Sequence, residues 1–247
     1  MAVMTTRLPS THRVERASAS NTLSYAAGDS PWNTWVSGSV DSESGAGSFN
    51  SLAFSDNGQP AIAYSVGIKR IKYAVASGPA WYTQEVAEGN GWITLAFAPS
   101  GRPAMSYTQS RASFSDSFVI YAVLRSGGGW VQETIAPGDN SWLAFTPSGD
   151  PAISYHDRIG EELKYAVFVD RAWTHFTVDQ TGKNPAGDFT GPFTLTSLAI
   201  SPAGQPAISY YDRSNGTIKC AIGTVTQTAT SGLFAFLRDL LMLRWFH

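Results

Sequence analysis

The sequence predicts an all-β protein: a β-propeller of four to five four-stranded blades, with a short C-terminal helix. Three observations carry this reading. First, a pattern recurs four times, in Ser51-Leu52-Ala53-Phe54 before Gly58-Gln59-Pro60-Ala61-Ile62-Ala63-Tyr64, and again around Gly101, Gly149 and Gly204. These glycines of a Gly-x-Pro turn stand 43, 48 and 55 residues apart, a period that belongs to propeller blades or helical arrays. Second, the segments alternate, or run briefly apolar, between Gly and Pro breaks, whereas helical arrays need apolar residues at i, i+3, i+4 and i+7. Third, 13% aromatic residues with 23 Gly and 13 Pro suit many short strands joined by tight turns.

In chain order, residues 1–20 read as a disordered leader, polar and without an apolar run of signal-peptide length. Residues 21–230 read as the propeller. Leu23-Ser24-Tyr25-Ala26 with Trp32 forms a half-blade, matching Ile71-Lys72-Tyr73-Ala74 with Trp81 and Leu163-Lys164-Tyr165-Ala166 with Trp173. In each full blade, strand one is the Leu-Ala-Phe run, whose small alanine suits a crowded inner position. Strand two is the Pro-Ala-Ile-Ser-Tyr run, with proline at the strand start where no ladder donor is needed. Strand three is the Lys-Tyr-Ala run, and strand four opens on a tryptophan whose role is packing between blades. The last blade offers only Thr224-Val225-Thr226-Gln227-Thr228 as a weak fourth strand. Residues 231–247, with the apolar run Leu233 to Phe246, read as a C-terminal helix too short to span a bilayer.

The half-blade and the weak last blade leave ring closure open between four blades and five. An unclosed ring exposes sheet edges, which invites homo-oligomer formation through an open blade edge or through the C-terminal helix. The only cysteine, Cys220, stands in a slot that is tyrosine in other copies, so packing is its expected role.

The repeat Val-Asp…Gly…Ser-Leu-Ala…Gly-x-Pro-x-Ile-Ser-Tyr-Tyr-Asp…Gly-x-Leu-Lys-Tyr-Ala…Trp resembles a bacterial β-propeller repeat family found in many uncharacterised, often exported, proteins. The resemblance covers about Asn21 to Thr228, with Ala207-Ile208-Ser209-Tyr210-Tyr211-Asp212, Gly216 and Ile218-Lys219 as its closest stretch. The second full blade departs from it, reading Tyr107-Thr108-Gln109-Ser110-Arg111 at the Tyr-Asp corner. The resemblance implies the fold and leaves function and compartment open.

A net charge of -2 and the lack of any Lys/Arg run give no attraction for nucleic acid. One Cys and four scattered His residues make no zinc spacing, Asp212-Asn215-Gly216 supplies too few calcium ligands, and Gly-x-Ser-x-Gly is missing. The sequence therefore implies no cofactor and no metal. Large length variation falls in the loops joining strands two and three and those joining one blade to the next, which share a face of a propeller. Variation over a constant scaffold marks a binding face. Its candidates are His156, Asp157 and Arg158, then Tyr211, Asp212 and Arg213, with Arg111, Trp92 and Trp142. Arg70, Asp116, Asp179 and Asp188 lie nearby. Aromatic faces with Asp, Asn and Arg hold sugars, by stacking on the apolar ring face and bonding the hydroxyls. The competing role of Asp157 and Asp212 is to cap backbone N–H groups before a Gly-containing turn. The expected ligand is a glycan bound without catalysis, at similar pockets between blades. A sialidase-like hydrolase using convergent arginines, or a protein-interaction platform, are the alternatives.

Overall fold

A computed structural model of the chain describes residues 12–17, 22–28, 35–110, 116–182 and 195–224. Eighteen strands form five antiparallel sheets, each a simple meander. The first blade is β1 (His12–Ala17), β2 (Thr22–Gly28) and β3 (Trp35–Asp41). The second is β4 (Ala46–Phe54), β5 (Pro60–Val66), β6 (Arg70–Ser77) and β7 (Ala80–Glu88). The third is β8 (Gly91–Phe97), β9 (Pro103–Ser110), β10 (Ser117–Leu124) and β11 (Trp130–Pro137). The fourth is β12 (Asp139–Phe145), β13 (Pro151–Asp157), β14 (Glu162–Val169) and β15 (Ala172–Gln180). The fifth is β16 (Thr196–Ile200), β17 (Pro206–Asp212) and β18 (Thr217–Ile222). The protein is a β-propeller, and β4, β8, β12 and β16 pack in succession along its inner side.

Three details differ from the sequence reading. Strand β1 pairs with β2 inside the stretch expected to be a leader, so the first blade has three strands rather than two. The charged run His-Arg-Val-Glu-Arg-Ala hides it, because it lacks strand alternation. The register of β2 with β3 puts Trp35, not Trp32, in the slot held by Trp81, Trp130 and Trp173. Cys220 is exposed rather than packed. On the same strand Ile218 is 83% exposed, while its counterparts Ile71, Val119 and Leu163 are fully buried. The reason is local: among the described residues no strand follows β18, and no blade covers that face. The expected helix over 231–247 lies outside the described residues.

The core sits between blades, as repeated seams. The strand-three tyrosine of one blade meets the strand-four tryptophan of the next edge to face: Tyr25 with Trp81 (5.1 Å), Tyr73 with Trp130 (5.3 Å) and Tyr121 with Trp173 (5.6 Å). The packing role expected for these indoles is therefore met. Around them, Ile71, Leu95, Met105 and Tyr107 fill the seam between the second and third blades, and Leu163, Tyr165, Leu198, Ile208 and Tyr210 that between the fourth and fifth.

The seams differ in their polar chemistry. Between the first and second blades, Asp41 at the end of β3 accepts from Tyr64 Oη (2.6 Å) and Lys72 Nζ (2.5 Å). Between the fourth and fifth, Asp179 accepts from Tyr210 Oη (2.5 Å) and Lys219 Nζ (3.2 Å). The same register slots at the second-third seam hold Ala87, Tyr107 and Ile120, and at the third-fourth seam Ala136, Tyr155 and Lys164. Where the aspartate is missing, the tyrosine finds its partner on strand four of its own blade. Tyr107 Oη donates to Gln132 Oε1 (3.0 Å), and Tyr155 Oη bonds His175 Nδ1 (3.1 Å). Gln132 and His175 occupy one register slot, which is Thr83 in the second blade. A buried phenol needs a partner, and each seam supplies one of two solutions.

Candidate functional site

The two Asp corners are turn caps. Asp157 Oδ1 accepts from the backbone N–H of Ile159 (2.9 Å) and Gly160 (3.2 Å). Asp212 is fully buried; Oδ1 accepts from Ser214 N (3.0 Å) and Oγ (2.6 Å), and Oδ2 from Asn215 Nδ2 (2.7 Å) and Lys219 Nζ (2.6 Å). Burial, the largest influence on Asp212, favours the neutral acid. The bonds from Lys219, Ser214 and Asn215 together outweigh it and hold the carboxyl well below the usual range. These carboxylates spend their lone pairs on the chain itself. Tyr211 stays at the fifth-blade corner, its backbone N–H donating to Leu195 O (3.3 Å).

The remaining corner residues converge beneath the start of β12. His156, 3% exposed, places Nδ1 3.5 Å from Asp139 Oδ1 and Nε2 3.5 Å from Glu161 Oε2. Arg158 donates to Asp139 Oδ2 (2.7 Å), and Arg213 stands 3.7 Å from Glu161 Oε2. Glu161 holds a left-handed backbone (φ 52°), and its carbonyl accepts from both Thr181 N and Thr181 Oγ1 at 2.9 Å. The structure thus joins His156, Arg158 and Arg213 in one ionic cluster with Asp139 and Glu161. Arg70 is elsewhere, paired with Glu43 and, at 3.6 Å, with Glu85, and Asp179 belongs to a blade seam. Arg111 and Asp188 lie outside the described residues.

Trp92 and Trp142 meet at a cleft of about 160 Å³ beside this cluster, lined also by Ile93, Thr94, Asn140, Ser141, Leu195 and Thr196. It opens at the starts of the inner strands of the third, fourth and fifth blades, on the face where the variable loops lie. A register irregularity precedes Thr94 in β8 and Trp142 in β12, and within it Trp92 (φ 45°) and Asn140 (φ 52°) take left-handed backbones in the same slot. Such bulges re-aim side chains, and strain of this kind persists where the surroundings enforce it. Trp92 stacks on Phe49 (5.1 Å, 30°), while Trp142 remains 41% exposed and Leu195 57%. The surface of the cleft is mostly apolar, and the buried polar groups behind it are ordered by their own bonds. Thr94 Oγ1 donates to Ser141 O (3.3 Å), Ser141 Oγ to Ser106 Oγ (3.1 Å) and Thr196 Oγ1 to Ser154 Oγ (2.8 Å).

Sequence reasoning named both indoles of this cleft and missed Asp139, Asn140, Glu161, Thr94 and Thr196. The available signal was the polar Asp139-Asn140-Ser141 run directly before Trp142, where the third blade has Gly91-Trp92-Ile93. Among the described residues no three His, Cys, Asp or Glu side chains stand together as a metal site, and no helix is long and apolar enough to cross a membrane.

No protein-family model and no curated protein matches the chain. Among solved structures, an α-L-arabinofuranosidase from Lactobacillus brevis is similar with a TM-score of 0.50 at 10% identity, over 87% of each chain. An α-L-arabinofuranosidase from Fusarium graminearum gives 0.46 at 12% identity, over 74% of this chain and 58% of its own. The chain therefore spans little more than half of the Fusarium enzyme. At such identity, likeness to the Lactobacillus enzyme is a likeness of fold alone.

Proposed function

We propose that this propeller is a non-catalytic glycan-binding protein whose ligand lies in the cleft between Trp92 and Trp142. The observation that supports it is the placing of two indoles, one of them 41% exposed, on one cleft whose open surface is mostly apolar. A sugar ring offers the matching surface, an apolar face for stacking and hydroxyls at its rim. The slot of Trp142 is Ser51, Thr94 and Ser197 in the second, third and fifth blades, so among the described residues the aromatic wall is built once and a single site is proposed. The carboxylates behind the cleft meet arginines, which suits a structural charge balance better than proton transfer.

The test is a glycan array probed with the folded protein and with Trp142→Ala. Loss of one stacking face is expected to weaken binding about tenfold. Equal binding by Trp142→Ala would move the site away from the cleft. One feature favours a second reading, a glycoside hydrolase: Asp139 and Glu161 both approach His156 beside the cleft. Hydrolysis of any array glycan that Asp139→Asn abolishes would establish it.

A further inference from the structure

We propose that the apolar run Leu233 to Phe246 of this same chain folds back over the open face of the fifth blade and caps the propeller there. On β18, Ile218, Cys220 and Ile222 share one face, and all three are exposed, Ile218 by 83%. Ser209 on β17 and Ala199 on β16 lie on the same face and are exposed beside them. Register places Ile218, Cys220 and Ile222 in the slots of Ile71, Tyr73 and Val75, which the third blade covers. In the fourth blade those slots hold Leu163, Tyr165 and Val167, buried against the fifth. Among the described residues, the fifth blade thus ends in half of a seam. Contiguous apolar surface at a sheet edge marks a place that another segment occupies.

The first blade is a poor match for that surface. From the second blade to the fifth, the face turned to the preceding blade carries an apolar residue and a tyrosine on strand two, as Ile62 with Tyr64 and Ile208 with Tyr210. The register of β1 with β2 puts Arg13 and Glu15 in those two slots. Closing the ring there would set charged residues against Ile218 and Cys220, and desolvating them brings no gain. The C-terminal run has the opposite character. Apart from Arg238, Asp239 and Arg244 it is wholly apolar, so it needs cover of its own. The tether permits the contact. The nine residues from Val225 to Leu233 reach at most about 30 Å, while the six residues of β18 run about 20 Å. A link of that length also holds the run at an effective concentration of about a millimolar, which favours it over a second copy.

Cys220, the only cysteine of the chain, sits in the middle of the face and reports what covers it. The test introduces Leu233→Cys, Leu237→Cys, Leu240→Cys and Leu243→Cys singly into the full chain, each treated at micromolar protein concentration with a short bismaleimide. An unchanged urea midpoint shows that each variant keeps its fold. The expected result is an internal cross-link to Cys220 in most molecules of at least one variant, read by intact mass and peptide mapping. In the wild type, Cys220 should react with N-ethylmaleimide about tenfold more slowly than in concentrated urea. Cross-links that form only between chains, and grow with protein concentration, would assign the face to a second copy and overturn the proposal. No cross-link at any of the four positions, or wild-type alkylation as fast as in urea, would show the face uncapped and overturn it as well.

Discussion

Replacing Lys72 by Ile puts the seam chemistry to a quantitative test. Lys72 and Asp41 form an ion pair whose side chains are only 12% and 10% exposed, with Tyr64 Oη on the same carboxylate. Removing one partner of such a pair strands the other, at a cost of about 3 kcal/mol. The second-third seam shows that the fold accepts the pair's joint absence, since Ile120 and Ala87 stand in those slots and Gln132 takes the tyrosine. The triple variant Lys72→Ile, Asp41→Ala, Thr83→Gln rebuilds that solution at the first-second seam. It is expected to cost about 1 kcal/mol or less, well below the sum of the single changes, so the positions couple by at least about 2 kcal/mol. Urea unfolding followed by tryptophan fluorescence measures each variant and yields the cycle. If the triple variant is as unstable as the sum of its parts, the two seam solutions are not interchangeable and the reasoning fails.

Acid acts on the same groups. Asp41 is lowered below the ordinary carboxylate range although its burial opposes this, because Lys72, Tyr64 and the Glu43 N–H all favour the ionised form; Asp212 is lowered likewise. A depressed folded pKa contributes stability above the unfolded value and loses it as pH falls. The urea midpoint should therefore hold from pH 7 to about 5 and drop below about pH 4. A midpoint that rises on acidification would reverse that sign. Two glycines give opposite expectations. A Cβ on Gly138 (φ 149°) would stand 2.5 Å from His156 O, so Gly138→Ala should cost about 2–3 kcal/mol by denaturant melt. Gly38 has nothing within 4 Å and an ordinary backbone, so Gly38→Ala should stabilise by about 0.5 kcal/mol.

The blade architecture was legible because its signals are local. A Gly-x-Pro turn, an Ile-Ser-Tyr strand and a strand-opening Trp each need only a few residues, and repetition confirmed them. The caps at Asp157 and Asp212 were legible for the same reason, since each carboxylate bonds backbone two or three residues on. The cleft was half legible. Its indoles stood out, but the slot shared by Trp92 and Asn140 depends on a strand irregularity that no residue pattern marks. The seam triads were hidden because Asp41 meets Tyr64 and Lys72 across 23 and 31 residues, from one blade to the next. Asp179, read as a loop-face candidate, belongs to that seam chemistry.

The unequal seams make the five blades a row of pages, clasped by charge at only two of the described seams. The middle three blades are joined by apolar contacts and hydrogen bonds without an ion pair across the described seams, on which salt has little purchase. The outer pages hang partly on charge, through Asp41 with Lys72 and Asp179 with Lys219. Fraying should therefore begin at the ends and stop at a three-page remnant. The cleft is not confined to that remnant, for Leu195 and Thr196 lead into the fifth blade. Loosening the Asp179 clasp would carry away one wall of the cleft and leave Trp92 and Trp142 in place.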